Sequence, residues 1–590
     1  MIEIKKEISK NLLKTVKDMG VDIDEAIVEI PNDSSKGDLT TNIAMRIAKG
    51  LRSSPIDIAQ KIVSKYPKSE DIEKIEAVKP GFINFFFSDT YLLKTLDEIV
   101  NQREEYFKLD AKKGETYLIE YTDPNPFKTL HIGHLYTNMV GESLACLTEA
   151  LGASVKRVNY QGDVGLHVAK TMWGLKEMLK EDGITFEELS DKSLEDRVRY
   201  LGEAYMLGFK MYDDKRVESV IREIKDINYF LFSLFMPSLK KKCYYTEMEE
   251  MYWKGREWCL EYFERIYERT GTKFDKYYFE SEMGEKGLEI VKENIDGKGN
   301  DIFEESEGSI IYRGDEEKGL HTRVFVNSEG VPTYESKEIA LALKKFADFS
   351  FDKSITITAD EQSSYFKVVF NALSQLRPKI ANKSLHFSHG MVRLPGDEKM
   401  SSRKGKIIEG EWLLNKTREK VKERMRSNGI LPEQEVEKLS DLIAVAAVRY
   451  SFIKVSVGKD VVFDFEKATS FDGDTGPYLL YVYARCKSIL DERKGPGDLD
   501  AKSNLNPYTK ELARVISKYR EILLTSGTNY SPTTLCSYLF ELGRTFNSFY
   551  QNVKVLGSAN QDFLLSVVNA TALTMKHGLN SLGMEVVERM

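Results

Sequence analysis

The periodicity of apolar positions changes twice along this chain. Over residues 1–112, apolar residues recur at helical spacing in the first 20 positions and again in Leu39–Gly50 and Ile56–Tyr66, and Gly81–Phe87 reads as a strand. This predicts a small α+β unit, closed by the turn-forming cluster Asp110–Gly114. From 113 to 408, short apolar strands alternate with helices: Thr116–Tyr121, a Pro-rich loop, a helix over His134–Leu151, a strand over Val155–Tyr160 and a helix over Val164–Leu179. That order predicts an α/β domain on a parallel sheet with right-handed crossovers. Residues 181–300 are charged and mostly helical in pattern, as an insertion would be. Strand-like Ser309–Tyr312, Val324–Asn327 and Ser354–Thr358 then resume the alternation. From 409 onward helical spacing dominates, giving a connector over 409–470 and an all-α bundle over 471–590.

Composition narrows the class. Of 590 residues, 42% are hydrophobic and 30% charged, which suits several buried cores. No run of apolar residues is long enough to predict a membrane span, and the first residues lack a signal-peptide core. Five scattered cysteines with no Cys-x-x-Cys pair argue against a zinc site and for a reducing cytoplasm. Lys and Arg total 85 against 93 Asp and Glu, a net charge of −8, which argues against indiscriminate nucleic-acid binding. Residues 471–590 hold 13 cations and 12 acids, so the acidity lies in the rest of the chain.

Two motifs carry chemistry. Asp123-Pro-Asn-Pro-Phe-Lys-Thr-Leu-His-Ile-Gly-His134 follows a strand and opens a helix, where a helix N-terminus attracts phosphate and Gly133 lets backbone approach a nucleotide. Lys399-Met-Ser-Ser-Arg-Lys-Gly405 offers three cations in a Ser- and Gly-containing loop suited to a polyphosphate leaving group. Each alone is modest: a random His-x-Gly-His arises roughly once in 200 chains of this composition, and a basic surface loop is commonplace. The pair, in this order, is far more specific.

Together the motifs resemble the signatures of class I aminoacyl-tRNA synthetases. Glu120–Pro126, Asn159–Gly165, Phe471–Tyr478, Gly37–Ile43, Pro80–Asn84 and the closing Glu588-Arg-Met590 are similar to arginyl-tRNA synthetases in particular, so the resemblance covers essentially the whole chain. It implies a Rossmann-like catalytic domain, an N-terminal domain touching the tRNA elbow and a helical anticodon-binding domain. It also implies ATP, Mg²⁺, L-arginine and the tRNA for arginine as partners, with a monomer expected.

The resemblance further implies residue roles. His131, Gly133 and His134 meet the α-phosphate, while Lys399, Ser401, Ser402, Arg403 and Lys404 hold the outer phosphates. The usual second loop lysine is replaced by Ser402, and Lys128, just upstream of the His motif, is expected to take its role. Met391 and Val392 present backbone to adenine. Glu120, Asn125, Tyr334, Glu338 and Gln362 line the arginine site, with Glu338 standing where the family usually has aspartate. Asp163 and His167 line the nucleoside or arginine site. Asn84 and Phe82 are candidates for the tRNA elbow, although strand core suits Phe82 better. Tyr481, Tyr483 and Arg485 are candidates for the anticodon, although aromatics at helical spacing are more often core.

Guanidinium chemistry agrees with such a pocket, because five N–H donors in a planar fork call for carboxylates and amide oxygens. A class I synthetase for another amino acid, a small nucleotidyltransferase and a catalytically dead tRNA-binding paralogue remain open on sequence. The length of the chain, the absence of Cys–His clusters and the intact His131, His134 and Lys399 weigh against them.

Overall fold

The computed structural model describes residues 1–590 except 32, 215–216, 240–245, 296–300, 397–407, 429–430 and 493–504. The Lys399–Gly405 loop, with Ser401, Ser402, Arg403 and Lys404, therefore lies outside the described residues.

The chain forms two compact units, one from residues 1–111 with 471–590 and the other from 112–470. In the first, β1 (Leu39–Thr41), β2 (Ile72–Val78) and β3 (Phe82–Phe87) form an antiparallel sheet in the order β1-β3-β2. Ile83, Phe85 and Phe87 are buried, so the apolar strand has its core. The C-terminal helices of this unit include Gly476–Asp491, Pro507–Ser517, Pro532–Asn552 and Gln561–Asn580. Both ends of the chain share this unit. The Asp38 carboxylate, 1% exposed, accepts hydrogen bonds from the Phe87 N–H at 2.8 Å and from Arg514 Nε at 2.7 Å. Phe107 stacks on His577 at 4.8 Å.

The second unit is built on a five-stranded parallel sheet of β4 (Thr116–Glu120), β5 (Ser154–Gln161), β6 (Lys276–Phe279), β10 (Lys353–Ala359) and β11 (Ser384–His389). Its order is β11-β10-β4-β5-β6. A nearly continuous buried run in β4 and β10 is what a sheet covered on both faces requires. Helix Ile132–Ala150 is buried on most of its circumference, and Gly141 brings it against the Tyr121 ring, where a Cβ would stand 2.2 Å away.

Two expectations change. Ser309–Tyr312 (β8) and Arg323–Val326 (β9) do not extend the parallel sheet; with β7 (Glu304–Ser306) they form a separate antiparallel sheet. Within the stretch read as mostly helical, β6 supplies the edge strand of the main sheet, paired with β5. Four residues between two long helices carry too little periodicity to be recognised alone.

Candidate active site

In open parallel sheets, ligands sit beyond the carboxyl ends of the strands, where the strand order reverses. Here chain order runs from β4 outward to β5 and β6 on one side and to β10 and β11 on the other, so the reversal falls between β4 and β10. Glu120 ends β4, the His motif follows it, and Gln362 lies exposed in the turn after β10.

The His motif is a capping structure. His131 is the N-cap of helix Ile132–Ala150, and its Nδ1 accepts the Gly133 N–H at 3.1 Å. His134 Nδ1 in turn accepts the His131 N–H at 3.3 Å, and the two rings stack 3.7 Å apart. A ring nitrogen that accepts carries no proton, so each neutral imidazole keeps its proton on Nε2 as the free donor. Burial holds both neutral: His131 is lowered to about 4 by burial and by Lys128, and His134 is driven well below its ordinary value by burial and by His131. Gly133 is required by this stack, since a Cβ there would lie 2.9 Å from His131 Cε1. One helical turn on, the Thr137 hydroxyl lies 3.0 Å from the Gly133 carbonyl and 2.6 Å from Nε2 of buried His389, at the end of β11.

The preceding loop is strained and held. Thr122, Asp123 and Phe127 have φ of 78°, 44° and 66°, each an unfavourable left-handed conformation costing on the order of 1–3 kcal/mol. Phe127 is fixed by its N–H to Cys259 Sγ, its carbonyl to the Thr171 hydroxyl and its ring against Tyr252. The Asp123 carboxylate accepts the Tyr160 N–H at 2.7 Å. Lys128 therefore leaves a rigid loop; burial and then Lys170 lower it to about 8.

Next to this loop is an acidic pocket. Glu120, Glu280 and Glu338 are all buried. Two buried lysines oppose them: Lys345 pairs with Glu120 and Lys337 with Glu280, every side chain at most 3% exposed. Asp123 joins the group; burial and then Glu120 push its carboxyl far up. Burial raises Glu338 well above the carboxylate range, with Lys345 opposing and Glu120 reinforcing. Counted as ionised, four carboxyls face two lysines, so the pocket lacks two positive charges. The Asn125 carboxamide and the Glu280 carboxylate converge on Gly162, where a Cβ would meet Asn125 Oδ1 at 2.2 Å and Glu280 Oε2 at 2.9 Å. The Tyr160 hydroxyl, raised by burial and by Glu280 and Glu338, has no hydrogen-bond partner among the described residues. Tyr334 and Glu338 share helix Tyr334–Phe349; Tyr334 is 53% exposed, and the Lys337 ammonium lies 4.7 Å from its ring.

Glu280, Lys337, Lys345 and Tyr160 were not singled out from sequence. Tyr160 lies inside the noted Asn159–Gly165 motif, and Glu280 directly follows a strand, so recognising β6 would have exposed it. Two expected site residues are engaged by neighbouring protein groups. The Asp163 carboxylate accepts from Arg256 Nε at 2.9 Å, the Ser281 N–H at 2.9 Å and the Ser281 hydroxyl at 2.8 Å, which braces the insertion against β5. His167 is buried, with Nε2 2.7 Å from the Gly162 carbonyl; burial and Lys128 lower it to about 3.

The backbone of Met391 is also committed: its N–H donates to Asp460 and its carbonyl accepts the Val461 N–H. In the short parallel pairing of Val392–Arg393 with Val461–Val462, alternate residues bond the partner strand, so the N–H and carbonyl of Val392 face the opposite edge.

In the other unit, Asn84 is buried and accepts the Thr40 hydroxyl, whereas Phe82 is 37% exposed, the reverse of the strand-core reading for Phe82. Tyr483 is buried core, while the Arg485 guanidinium lies over the rings of Tyr481 and Tyr550 at 4.5 and 5.1 Å.

A parallel sheet with paired imidazoles capping the first helix at its switch point is in keeping with a class I aminoacyl-tRNA synthetase, and the family models show that class. The family model "tRNA synthetases class I (R), catalytic domain" matches residues 95–465. "Arginyl tRNA synthetase N terminal domain" matches 3–87 and "DALR anticodon binding domain" matches 479–590. The chain belongs to the arginyl-tRNA synthetase family. It is 30% identical to the arginine–tRNA ligase of Treponema denticola over 95% of this chain and 94% of that one. It is 28% identical to that of Clostridium botulinum (strain Loch Maree) over 98% of both. The fold matches the arginyl-tRNA synthetase of Thermus thermophilus with a TM-score of 0.79 at 23% identity, covering 99% of this chain and 100% of that one. Ligation of arginine to tRNA with ATP is the reaction of this family and of this chain.

Proposed function

We propose that the acidic pocket at the end of β4 selects arginine and that the capped His motif and Lys128 activate its carboxylate with ATP. The observation that carries this is charge: four carboxyls, three of them buried, face two lysines, and a substrate bearing a guanidinium and an α-ammonium brings the two positive groups that match the carboxyls left over. Lysine also carries two charges, but it cannot satisfy planar, forked acceptors such as Glu280 with Asn125. Glu120, Asn125, Glu280 and Tyr160 bind one end of the substrate, and Glu338 and Tyr334 the other, with Gln362 at the rim. Asp163 and His167 position the wall.

The Nε2–H donors of His131 and His134 stabilise charge developing on the α-phosphate, a task needing preorganised donors rather than covalent help. Lys128 supplies positive charge beside them, and Lys399, Ser401, Ser402, Arg403 and Lys404 hold the outer phosphates. Mg²⁺ arrives as part of the MgATP substrate, and Val392 presents its backbone to adenine. Residues 1–112 carry the elbow-binding function, with exposed Phe82 the contact and Asn84 its support. Residues 471–590 read the anticodon, using Arg485 stacked on Tyr481. We read the protein as a cytoplasmic monomer with catalytic residues 113–408 and connector 409–470. ATP–pyrophosphate exchange with each amino acid, with and without tRNA, tests the reading. Exchange with arginine alone, dependent on tRNA, is expected; exchange with lysine, or with none, overturns it.

A further inference from the structure

The insertion carries an aromatic stripe with no role in the assignments above. On helix Leu194–Asp213, Tyr205, Phe209 and Tyr212 stand at i, i+4 and i+7, on one face. Two lysines lie over it: Lys128 Nζ is 4.6 Å from the Tyr205 ring, and Lys170 Nζ is 4.6 Å from Phe209 and 4.3 Å from Tyr212. The rings of Tyr205 and Phe209 are 6.0 Å apart, so the two lysines lie over adjacent rings of one stripe.

Neither lysine has a carboxylate within ion-pair distance among the described residues; the acid acting on Lys170 is the more remote Asp213. Partly buried lysines are ordinarily paired, and an aromatic face offers an ammonium only a fraction of what a carboxylate does. It does so without cancelling the charge, so both cations stay available to an anion. The helix is set close enough to do this by small residues. A Cβ at Gly174 would meet the Ala204 carbonyl at 2.1 Å, and one at Gly208 the Lys170 carbonyl at 2.0 Å. A Cβ at Gly202 would lie 3.0 Å from the Cγ2 of Thr129, the residue after Lys128. The loop bearing Lys128 thus meets one face of this helix at two points, Gly202 and Tyr205.

We infer that helix Leu194–Asp213 is a working part of the activation site: its aromatic stripe holds Lys128 and Lys170 as an uncancelled pair of cations for the polyphosphate of ATP, with Lys170 a binding residue and Tyr205 the residue that positions Lys128. The inference rests on reading the His motif as the ATP site. It favours polyphosphate because Lys128 lies three residues before His131, the N-cap of helix Ile132–Ala150, and Lys170 lies over the same aromatic stripe as Lys128, which adds two cations to the donors of that helix N-terminus. Two adjacent cations suit the adjacent phosphates of a leaving group better than a single phosphodiester.

The test is tRNA-dependent ATP–pyrophosphate exchange with the full chain, comparing Lys170→Gln, Tyr205→Leu and Tyr205→Phe, together with direct pyrophosphate binding by calorimetry. Lys170→Gln should raise KM for ATP and Kd for pyrophosphate by about fivefold or more, with KM for arginine and tRNA unchanged. Tyr205→Leu should do the same and lower kcat, and Tyr205→Phe, which keeps the ring, should restore most of the loss. If both Lys170→Gln and Tyr205→Leu leave the ATP and pyrophosphate constants within about twofold, a change smaller than a lost cation–π contact, the inference is wrong. A rise confined to KM for tRNA would also overturn it, by giving the cations to the RNA end. Absence of arginine-dependent exchange in the unaltered protein would instead refute the underlying reading, which keeps the two failures distinct.

Discussion

Lys345 and Glu120 form an ion pair sealed from solvent on both sides, with 3% and 2% of their side chains exposed. Lys345 belongs to the helix that carries Tyr334 and Glu338, and Glu120 ends β4, so the pair ties one wall of the acidic pocket to the first strand of the sheet. Removing one member leaves a buried charge uncompensated, which costs about 3–5 kcal/mol, whereas removing both can be close to neutral. Lys345→Met should therefore lower stability in urea by about that amount, and adding Glu120→Gln should recover at least half of it. Losses that simply add in the double variant would show that the pair is not coupled.

Arginine binding should release protons. Asp123 is raised by burial and Glu120, and Glu338 by burial with Glu120 reinforcing, so both hold protons more tightly than ordinary carboxyls in the empty pocket. The guanidinium and α-ammonium of bound arginine favour their ionised forms, so affinity for arginine increases with pH until both are ionised without it. Calorimetry in two buffers of different ionisation enthalpy should show net proton release, and Glu338→Gln should diminish it. The same variant should raise KM for arginine by about 10- to 100-fold, the worth of a hydrogen bond to a charged group. Binding with no proton exchange in either buffer would refute this account.

The sequence made the order of strands and helices legible because a buried parallel strand and the helix after it are local patterns: Thr116–Glu120, the His motif and helix Ile132–Ala150 are contiguous. The acidic pocket is not local. Glu280 reaches Asn125 and Gly162 across more than a hundred residues, and its partner Lys337 lies on yet another helix. A lysine in a helix reads as solvated surface by composition, and nothing near Lys337 or Lys345 in the chain marks them as buried. The same holds for Asp38, whose burial depends on Arg514 from the far end of the chain.

Two glycines separate catalysis from folding. At Gly133 a methyl would stand 2.9 Å from His131 Cε1 and 3.0 Å from Nδ1, so the ring must leave its stack and lose the Gly133 N–H. Gly133→Ala should cost only about 1 kcal/mol of stability, as for a lost N-cap, yet lower exchange about 100-fold or more, as for a misplaced transition-state donor. At Gly141 a methyl meets the Tyr121 ring at 2.2 Å inside the core, so Gly141→Ala should cost about 1–3 kcal/mol and lose activity only as it unfolds. Urea unfolding and exchange rates on the same preparations check both. Equal activity per folded molecule in the two variants would contradict the role of His131 as a transition-state donor.

The alkaline limb of activity should belong to Lys128. Burial, and after it Lys170, lowers this lysine to about 8, whereas a lysine in water stays charged well beyond that. A reaction that needs the ammonium beside the α-phosphate therefore loses kcat/KM for ATP as pH rises through about 8 in the free enzyme. Lys128→Arg keeps its charge throughout this range and should abolish the limb, even if the rate itself falls because a guanidinium is larger and flatter. Lys170→Gln removes the neighbouring cation and should shift the limb to higher pH. The acid side has the opposite origin. His131, at about 4, and His167, at about 3, are neutral in the fold but would charge near 6.5 when unfolded. Their contribution to stability is complete above 6.5 and is lost progressively as pH falls toward those values. A profile of kcat/KM for ATP against pH, with unfolding midpoints measured in parallel, separates the two limbs. An alkaline limb that stays in place in both Lys128→Arg and Lys170→Gln would remove Lys128 from the chemistry.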